Sequence, residues 1–381
     1  MVAVPDTSRK IRIAFIGQKG IPAHFGGVEF HVDELSKQLI RRGHQVTVYV
    51  RSWYTPSDLD AYEGVRLLHT PTLRTKHLDA TLHSLSSSLH ALAQDYDIIH
   101  YHALGPSFFA WIPRLYGQKT VVTIHALDWQ RPKWGRLAKS ILKMTERFAV
   151  YLPDSTIVVS RSLERYFEDK YRRSVHYIPN GVNMLPLSPP HLITQRYGLD
   201  RGNYILSMGR LVPEKRVDWL IEAFRRISGP VRLVIAGDGD SADGYAQNLR
   251  RLADKDPRFL FAGTVSGQIK EELLSNALFY VTPSSMEGLP IALLEAMAHA
   301  RCCLVSNIPP HCEIIEAGRD GWLFEWEDFN GFVSALEALL AQGNNYRESL
   351  GEKARHKVCQ HYSWESIADS TERLYASLFT H

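Results

Sequence analysis

The chain alternates, and it does so twice. Short apolar runs at 11–16, 46–50, 65–69, 98–102, 120–125 and 155–160 are separated by segments whose apolar residues recur at helical spacing. The same rhythm restarts at 204–208, 231–236, 259–264, 277–281, 302–306 and 321–324. A run that stays apolar at successive positions has no face to give to water. It belongs in a parallel sheet covered on both sides by helices. Strands and helices in alternation build such a sheet through helical crossovers. The expected class is therefore α/β, as two Rossmann-like units without an obvious internal sequence repeat. A length of 381 residues also exceeds what one ordinary core serves. The turn Asn180-Gly181 and the stretch Ser188-Pro189-Pro190 punctuate the junction. The expected domains are 1–185 and 186–362, with a terminal helix over 363–381. Trp364, Ile367, Leu374 and Leu378 give that helix an apolar face to bury, and it is expected to cross back to the first domain.

One segment carries more than the rhythm requires. It reads Pro283-Ser284-Ser285-Met286-Glu287-Gly288-Leu289-Pro290, then Ile291-Ala292-Leu293-Leu294-Glu295-Ala296-Met297. The apolar run before it reads as a buried strand. Pro290 suits a helix's first turn, where its missing N–H costs nothing. Open parallel sheets bind ligands beyond the carboxyl ends of their strands, and a helix start offers free N–H groups to an anion. Glu287 lies in the loop. Glu295 lies inside the helix among Leu293, Leu294, Ala296 and Met297, where a carboxylate needs a partner. The segment reads as a phosphate cradle with two carboxylates for different parts of one ligand. A solvated loop Glu beside an unrelated helix-surface Glu is the alternative that spacing leaves open.

Other strand ends add candidates. Gly26 and Gly27 precede the first helix, where bare backbone lets a phosphate or sugar approach, although a glycine pair is also ordinary turn chemistry. His125 closes an apolar run at the functional edge and can donate to a sugar hydroxyl or a phosphate; Asp128 and Trp129 crowd the same edge. Gly209 opens a loop bearing Arg210 and Lys215, read as a diphosphate clamp. No Walker-type loop or H-E-x-x-H occurs. The expectation is no metal and no cofactor, with the two cations doing the electrostatic work.

Bulk properties narrow the class further. The net charge of +3 gives no footprint for nucleic acid. Cys302, Cys303, Cys312 and Cys359 match neither a disulfide framework nor zinc-ligand spacing. Met1 to Lys10 lack an apolar signal core, and no run is long enough to span a bilayer. The expected location is cytoplasmic, or peripheral on the inner face of the cytoplasmic membrane. One basic segment bears on the second option. Arg131, Lys133, Arg136, Lys139, Lys143 and Arg147 stand against a single acid, Glu146, with Trp134, Leu137, Ile141 and Leu142 as an apolar stripe. Such a helix can lie on an anionic membrane. Plain core packing of the stripe is the reading placed ahead.

Together these residues resemble the retaining nucleotide-sugar glycosyltransferases of family 4, which have the GT-B fold: two Rossmann-like domains facing a cleft, with a C-terminal helix crossing back to the first. The family's E-x7-E signature corresponds to Glu287 and Glu295 within Pro-Ser-x-x-Glu-Gly, its donor-phosphate cations to Arg210 and Lys215, its first-domain sugar loop to Gly26-Gly27, and its active-site histidine to His125. Gly20-Ile21-Pro22-x-x-Phe25-Gly26-Gly27-Val28-Glu29 and His125-x-Leu127-Asp128-Trp129-x-Arg131-x-Lys133-Trp134-Gly135 resemble a narrower branch of bacterial rhamnosyltransferases and related polysaccharide enzymes.

The resemblance implies an acceptor-binding first domain and a donor-binding second. The diphosphate would lie between Gly209, Arg210, Lys215 and the helix start at Gly288, Leu289 and Pro290. Glu295 would accept from the ribose hydroxyls, Glu287 would orient the donor sugar, Thr264 and Val265 would hold the base, and His125 would hydrogen-bond the sugar. The donor would be a UDP- or dTDP-type sugar. The acceptor would be a glycan or a polyprenyl-diphosphate-linked glycan in surface polysaccharide synthesis, with an anionic membrane surface as a further partner. Two positions depart from the family pattern: Ala300-Arg301-Cys302-Cys303 replaces a Gly followed by Pro-Val, and Pro290 replaces a sugar-facing glycine. A nucleotide-sugar epimerase or hydrolase, a phosphorylase and a non-enzymatic carbohydrate-binding protein are the rival readings.

Overall fold

A computed structural model describes residues 9–75, 78–131, 134–239 and 244–380. Lys133 of the basic segment and the residues before Arg9 lie outside the described residues. The chain divides into two compact units. Unit 1 comprises Met1–Asn180 with Trp364–His381, and unit 2 comprises Gly181–Ser363. The expected divisions lay at 185/186 and 362/363; the compact units part a few residues earlier at the first junction and one residue later at the second.

Unit 1 is built on eight strands: β1 (Arg12–Ile16), β2 (Gln45–Val50), β3 (Ala61–Tyr62), β4 (Val65–His69), β5 (Ile98–His102), β6 (Lys119–Ile124), β7 (Ser155–Val158) and β8 (His176–Tyr177). Their order is β3-β4-β2-β1-β5-β6-β7-β8. All pairings are parallel except β3 with β4. The six strands β4-β2-β1-β5-β6-β7 have the doubly wound order 3-2-1-4-5-6, whose direction reverses between β1 and β5. The short β3–β4 hairpin escapes the sequence pattern because its apolar signal is two residues long. Glu63 and Gly64, with φ of 50° and 82°, form its turn, the positive-φ pair that suits a two-residue hairpin loop.

Unit 2 carries β9 (Tyr204–Met208), β10 (Arg232–Ala236), β11 (Phe259–Gly263), β12 (Phe279–Thr282), β13 (Cys303–Ser306) and β14 (Trp322–Phe324). Their order, β11-β10-β9-β12-β13-β14, is again 3-2-1-4-5-6, with the reversal between β9 and β12. Every pairing is parallel.

Each sheet is buried between helices. Ile13, Phe15, Val46, Val48, Ile98 and Val121 anchor the first core, and Ile205, Leu233, Ile235, Phe279, Val281 and Leu304 the second. The terminal helix Trp364–Ser377 packs into the first core through Trp364, Ile367, Ala368, Leu374 and Tyr375. Ion pairs add to that seat: Arg42 reaches Asp369 at 2.7 Å and Glu372 at 2.9 Å. Deeper in, the Tyr375 hydroxyl lies 2.6 Å from His100 Nδ1.

Two features depart from the sequence reading. Between β5 and β6 the chain forms no single helix but Leu104–Ser107, a 3-10 turn Phe108–Ala110, and Trp111–Leu115; Pro106 and Pro113 remove backbone donors there. In the helix Arg136–Tyr151, Leu137 is 77% exposed and Ile141 48%, so this stripe is not core. The buried face is Thr145, Glu146 and Ala149 instead.

Candidate active site

In unit 2 the ligand edge is stitched by glycines. The Gly209 N–H donates to Ala236 O at 2.9 Å, and the Gly237 N–H donates to Gly263 O at 2.7 Å. Gly237 has φ of 135°, and a Cβ there would fall 1.9 Å from Gly209 O. Only glycine lets these two loops touch. The loop after β9 is tied in turn to the loop after β12, because the Ser285 N–H and hydroxyl both donate to Glu214 O, at 2.9 and 3.2 Å. That tie carries Lys215 onto Glu287, and the two side chains form a short ion pair. Gly209 lies against the Lys215 stem. Ser207, Gly209, Arg210, Lys215, Ala236 and Thr282 line one small pocket at this edge.

The electrostatics follow from burial. Desolvation alone would raise the Glu287 carboxyl, but the Lys215 charge, with His311 and the Ser284 hydroxyl, outweighs it and holds the carboxyl below its usual range. His311 is fully buried, and its pKa is pulled down to about 4 by that burial against the opposing charge of Glu287. Glu295 has the partner that its apolar surroundings demand: Lys270 Nζ lies 2.6 Å from its Oε1. Lys270 comes from the helix Gly267–Asn276, which begins after β11, close behind Thr264 and Val265. Thr264 is exposed and Val265 half-buried; Gly288 and Leu289 are buried at the start of the helix Ile291–Ala298. No acidic residue occupies that helix's first turn. Ala300, where the family pattern has glycine, takes φ of 56° just past the helix end. The departure thus sits in a turn that glycine would adopt without strain.

Unit 1 presents a different edge. Gly26 has φ of 100°, and a Cβ there would fall 1.9 Å from Glu29 Oε2. Glu29 is 5% exposed and accepts the Lys19 N–H at 3.0 Å. Gly27, the next residue, faces open space within 4 Å. Beyond them stands a cluster of imidazoles. His31 comes from the helix Gly27–Arg41, His100 and His102 from β5, and His125 from the residue after β6. Gly17 admits the close passage of β5, since a Cβ there would lie 2.3 Å from His102 O.

His102 Nδ1 lies 3.0 Å from His125 Nε2, and their rings stack. His31 Nδ1 lies 2.9 Å from Asn180 Oδ1, and His100 Nε2 2.7 Å from Thr123 Oγ1. Burial lowers all four pKa values, and for His100, His102 and His125 neighbouring imidazoles add to the effect. His31 falls to about 4 even though Asn180 opposes the shift. The cluster is neutral at pH 7. Ligating atoms of His31, His102 and His125 lie within 4.8 Å of one another, the one grouping of metal-ligand type among the described residues.

Past His125 the chain is held by Glu146, whose side chain is wholly buried. Glu146 accepts from Trp129 Nε1 at 2.5 Å, Lys170 Nζ at 2.5 Å, the Tyr171 hydroxyl at 2.7 Å and the Tyr166 hydroxyl at 2.9 Å. The lone acid of the basic segment is therefore the anchor for Trp129.

The structure brings Lys215 to Glu287 and places Gly209 beside them. It sets Glu295 with Lys270, and it puts Gly26, Gly27 and His125 in the other unit. Sequence reading missed Lys270, His31, His102, Glu29 and Glu146. Glu29 had a signal, as a carboxylate in the first turn after a glycine pair. The partners of Lys270 and His102 are remote in sequence and left none.

Comparison with known proteins extends this geometry. Residues 25–184 match the family model described as Glycosyltransferase Family 4, and residues 202–342 match that of Glycosyl transferases group 1. The alpha-maltose-1-phosphate synthase of Mycolicibacterium smegmatis is 28% identical, over 96% of this chain and 99% of its own length. An Escherichia coli UDP-Gal:alpha-D-GlcNAc-diphosphoundecaprenol alpha-1,3-galactosyltransferase is also 28% identical, over 83% of this chain and 85% of its own. Among solved structures, sucrose-phosphate synthase from Thermosynechococcus elongatus superposes with a TM-score of 0.82 at 21% identity, covering 97% of this chain and 99% of that one.

Proposed function

The chain is a homologue of glycosyltransferases and has the GT-B fold, and from that premise we propose that it is a retaining, metal-independent member of family 4. It moves a hexosyl or deoxyhexosyl group from a nucleoside diphosphate sugar to a hydroxyl of a glycan or lipid-linked glycan. The observation that carries this reading is the edge of unit 2, where Lys215 joins the loop after β9 to Glu287. In the reaction the bond from the anomeric carbon to the phosphate oxygen breaks, and its electron pair stays on the diphosphate. Arg210 and Lys215 stabilise that growing charge, together with the helix start at Gly288 and Leu289. As the diphosphate draws Lys215, Glu287 is free to accept from the sugar hydroxyls. Glu295, held by Lys270, accepts from the ribose, with Thr264 and Val265 beside the base. His125 hydrogen-bonds the sugar, and the acceptor oxygen bonds to the same face of the anomeric carbon while its proton passes to the departing diphosphate oxygen.

The E. coli relative, whose name contains UDP-Gal and a diphosphoundecaprenol-linked sugar, supports a uridine diphosphate sugar as the donor and a polyprenyl diphosphate acceptor of the surface polysaccharide type. The helix Arg136–Tyr151 supports a membrane-proximal acceptor. Leu137, Ile141 and Met144 line one exposed face, flanked by exposed Arg136, Lys143 and Arg147. That is the arrangement of a helix lying in an anionic bilayer surface. No helix among the described residues is long and apolar enough to cross a membrane.

Calorimetric titration with UDP-, dTDP-, GDP- and ADP-sugars in EDTA tests the donor. One base should bind, and Arg210→Ala should abolish the heat. Binding that appears only with magnesium would sink the metal-independent reading, and an inverted anomer in the product would sink retention. For the membrane, vesicles containing phosphatidylglycerol should retain the protein at low salt and lose Leu137→Asp/Ile141→Asp. Equal retention of that variant would remove the helix from the account.

A further inference from the structure

We propose that His102 is a positioning residue that fixes the proton of His125 on Nδ1, so that His125 offers a hydrogen-bond donor to an oxygen of its ligand. The argument starts from the 3.0 Å contact between His102 Nδ1 and His125 Nε2. A hydrogen bond at that distance holds one proton. With two protons the N–H groups would collide, and with none two lone pairs would face each other.

Two neutral arrangements satisfy the contact. In the first, His102 carries its proton on Nδ1 and donates to His125 Nε2. His125 then keeps its own proton on Nδ1. In the second, His125 donates from Nε2, and the His102 proton must sit on its Nε2. The structure distinguishes the two through the far side of His102. That ring has no exposure, and its Nε2 has no hydrogen-bond partner. The second arrangement would strand an N–H in the interior; the first leaves a bare lone pair there. Orphaned buried N–H groups are the rarer defect in folded proteins. A doubly protonated His102 is disfavoured on the same ground, since His100 stacks on it at 4.4 Å and His31 and His125 crowd it.

His125 is half-buried, and no residue among those described bonds its Nδ1. The donor set by His102 is therefore the one left for a ligand. His31 fits the same scheme. With Asn180 Oδ1 accepting at 2.9 Å, the His31 proton is on Nδ1, and its other nitrogen adds no competing proton to the cluster. Applied to the reading of His125 as the sugar-binding histidine, on which this part rests, a fixed Nδ1–H selects an acceptor oxygen on the sugar rather than a hydroxyl proton.

The test is the proton itself. Ring 15N shifts and long-range 1H–15N couplings of labelled protein without substrate, with His125 assigned by His125→Gln, should show His125 as the Nδ1–H tautomer. His102→Phe should return it to the tautomer mixture of a free imidazole. His125 found as Nε2–H in the native protein overturns the proposal, whatever the enzyme does. So does a spectrum in which added zinc leaves both facing nitrogens bare with full occupancy, because a shared metal would then replace the hydrogen bond. Activity supplies a separate arm. His102→Asn, whose amide can donate in place of Nδ1, should retain most of kcat, whereas His102→Phe should lose at least tenfold in kcat with donor KM nearly unchanged. A native Nδ1–H tautomer with no loss in His102→Phe would leave the tautomer in place and overturn its role toward the sugar.

Discussion

At the first helix of unit 1 the chain supplies its own anion: Glu29 folds back over Gly26 and occupies the helix start. At the helix after β12 in unit 2 no acid enters the first turn, and the carboxylates nearby are held to one side by Lys215 and Lys270. The two sheets have the same strand order, and both place their candidate side chains beyond the carboxyl ends of strands at or beside the reversal point. Their chemistry differs. Unit 1 lines its edge with neutral imidazoles that give and accept hydrogen bonds without charge. Unit 2 lines its edge with cations whose internal partners can be exchanged for a ligand's phosphates. The lesson is that one strand order can carry a neutral, hydrogen-bonding edge or a cationic one; under the proposed function the first would face the sugar and the second the phosphates.

The sharpest way to break that contrast is to remove the exchangeable cation. Lys215→Ala deletes a charge at the phosphate side and strands Glu287. The donor kcat/KM should fall about 100- to 1,000-fold, the size of losing one well-placed transition-state contact. Lys270→Ala, one step removed through Glu295, should cost about tenfold, ~1.4 kcal/mol. Steady-state rates on both variants check the order. A larger loss for Lys270 would move the centre of the anion site from the loop after β9 to the ribose side.

Acid separates the units by another route. Among the described residues, six histidines of unit 1 have lowered pKa values: His31, His83, His100, His102, His125 and His176. Among those of unit 2, a lowered value falls on His311. Below pH 6.5 the unfolded chain protonates these rings while the folded one refuses, down to about 4 for His31 and about 3 for His83. The unfolded state then binds more protons, so stability is lost as pH falls through that window. At ~1.4 kcal/mol per pKa unit, His31 alone accounts for on the order of 3 kcal/mol by pH 4. Hydrogen exchange at pH 7 and at 4.5 should show β1, β5 and β6 losing protection before β9 and β12. Protection lost first in unit 2 would mean that its paired carboxylates, not these rings, set the acid limit.

How much of this was legible in the sequence depends on the range of each interaction. The strands were legible because burial on both faces writes an unbroken apolar run, as in β1, β6 and β9. Glu287, Lys215, Arg210 and Gly209 were legible because each sits in a loop just past such a run. The helix Arg136–Tyr151 was misread, since its period shows an apolar stripe but not which way the stripe faces; Glu146, the lone acid, turned out to be its inner side. His102 looked like a strand's polar end. Its meaning depends on β6 lying beside β5, a pairing that sets His102 opposite Thr123 and near His125. Lys270 needed the fold to bring the helix after β11 to the helix after β12.

The smallest expected effect is also the cleanest comparison, because it concerns two adjacent glycines. Gly26 needs its φ of 100° and the space that Glu29 fills. Gly26→Ala should therefore destabilise unit 1 by about 1–3 kcal/mol, the cost of a side chain in a positive-φ, extended conformation that glycine alone adopts readily, before any repacking of Glu29. Gly27 opens the helix with nothing near its missing Cβ. Gly27→Ala should be neutral or stabilising by up to about 1 kcal/mol, as alanine is the better helix former. If the bare backbone at Gly27 serves a sugar or phosphate, that same variant should lose activity while holding its melting temperature. Loss of both together would return Gly27 to plain turn chemistry. Retention of both would leave Glu29 as the only tenant of that helix start, and the contrast between the two edges would then be complete.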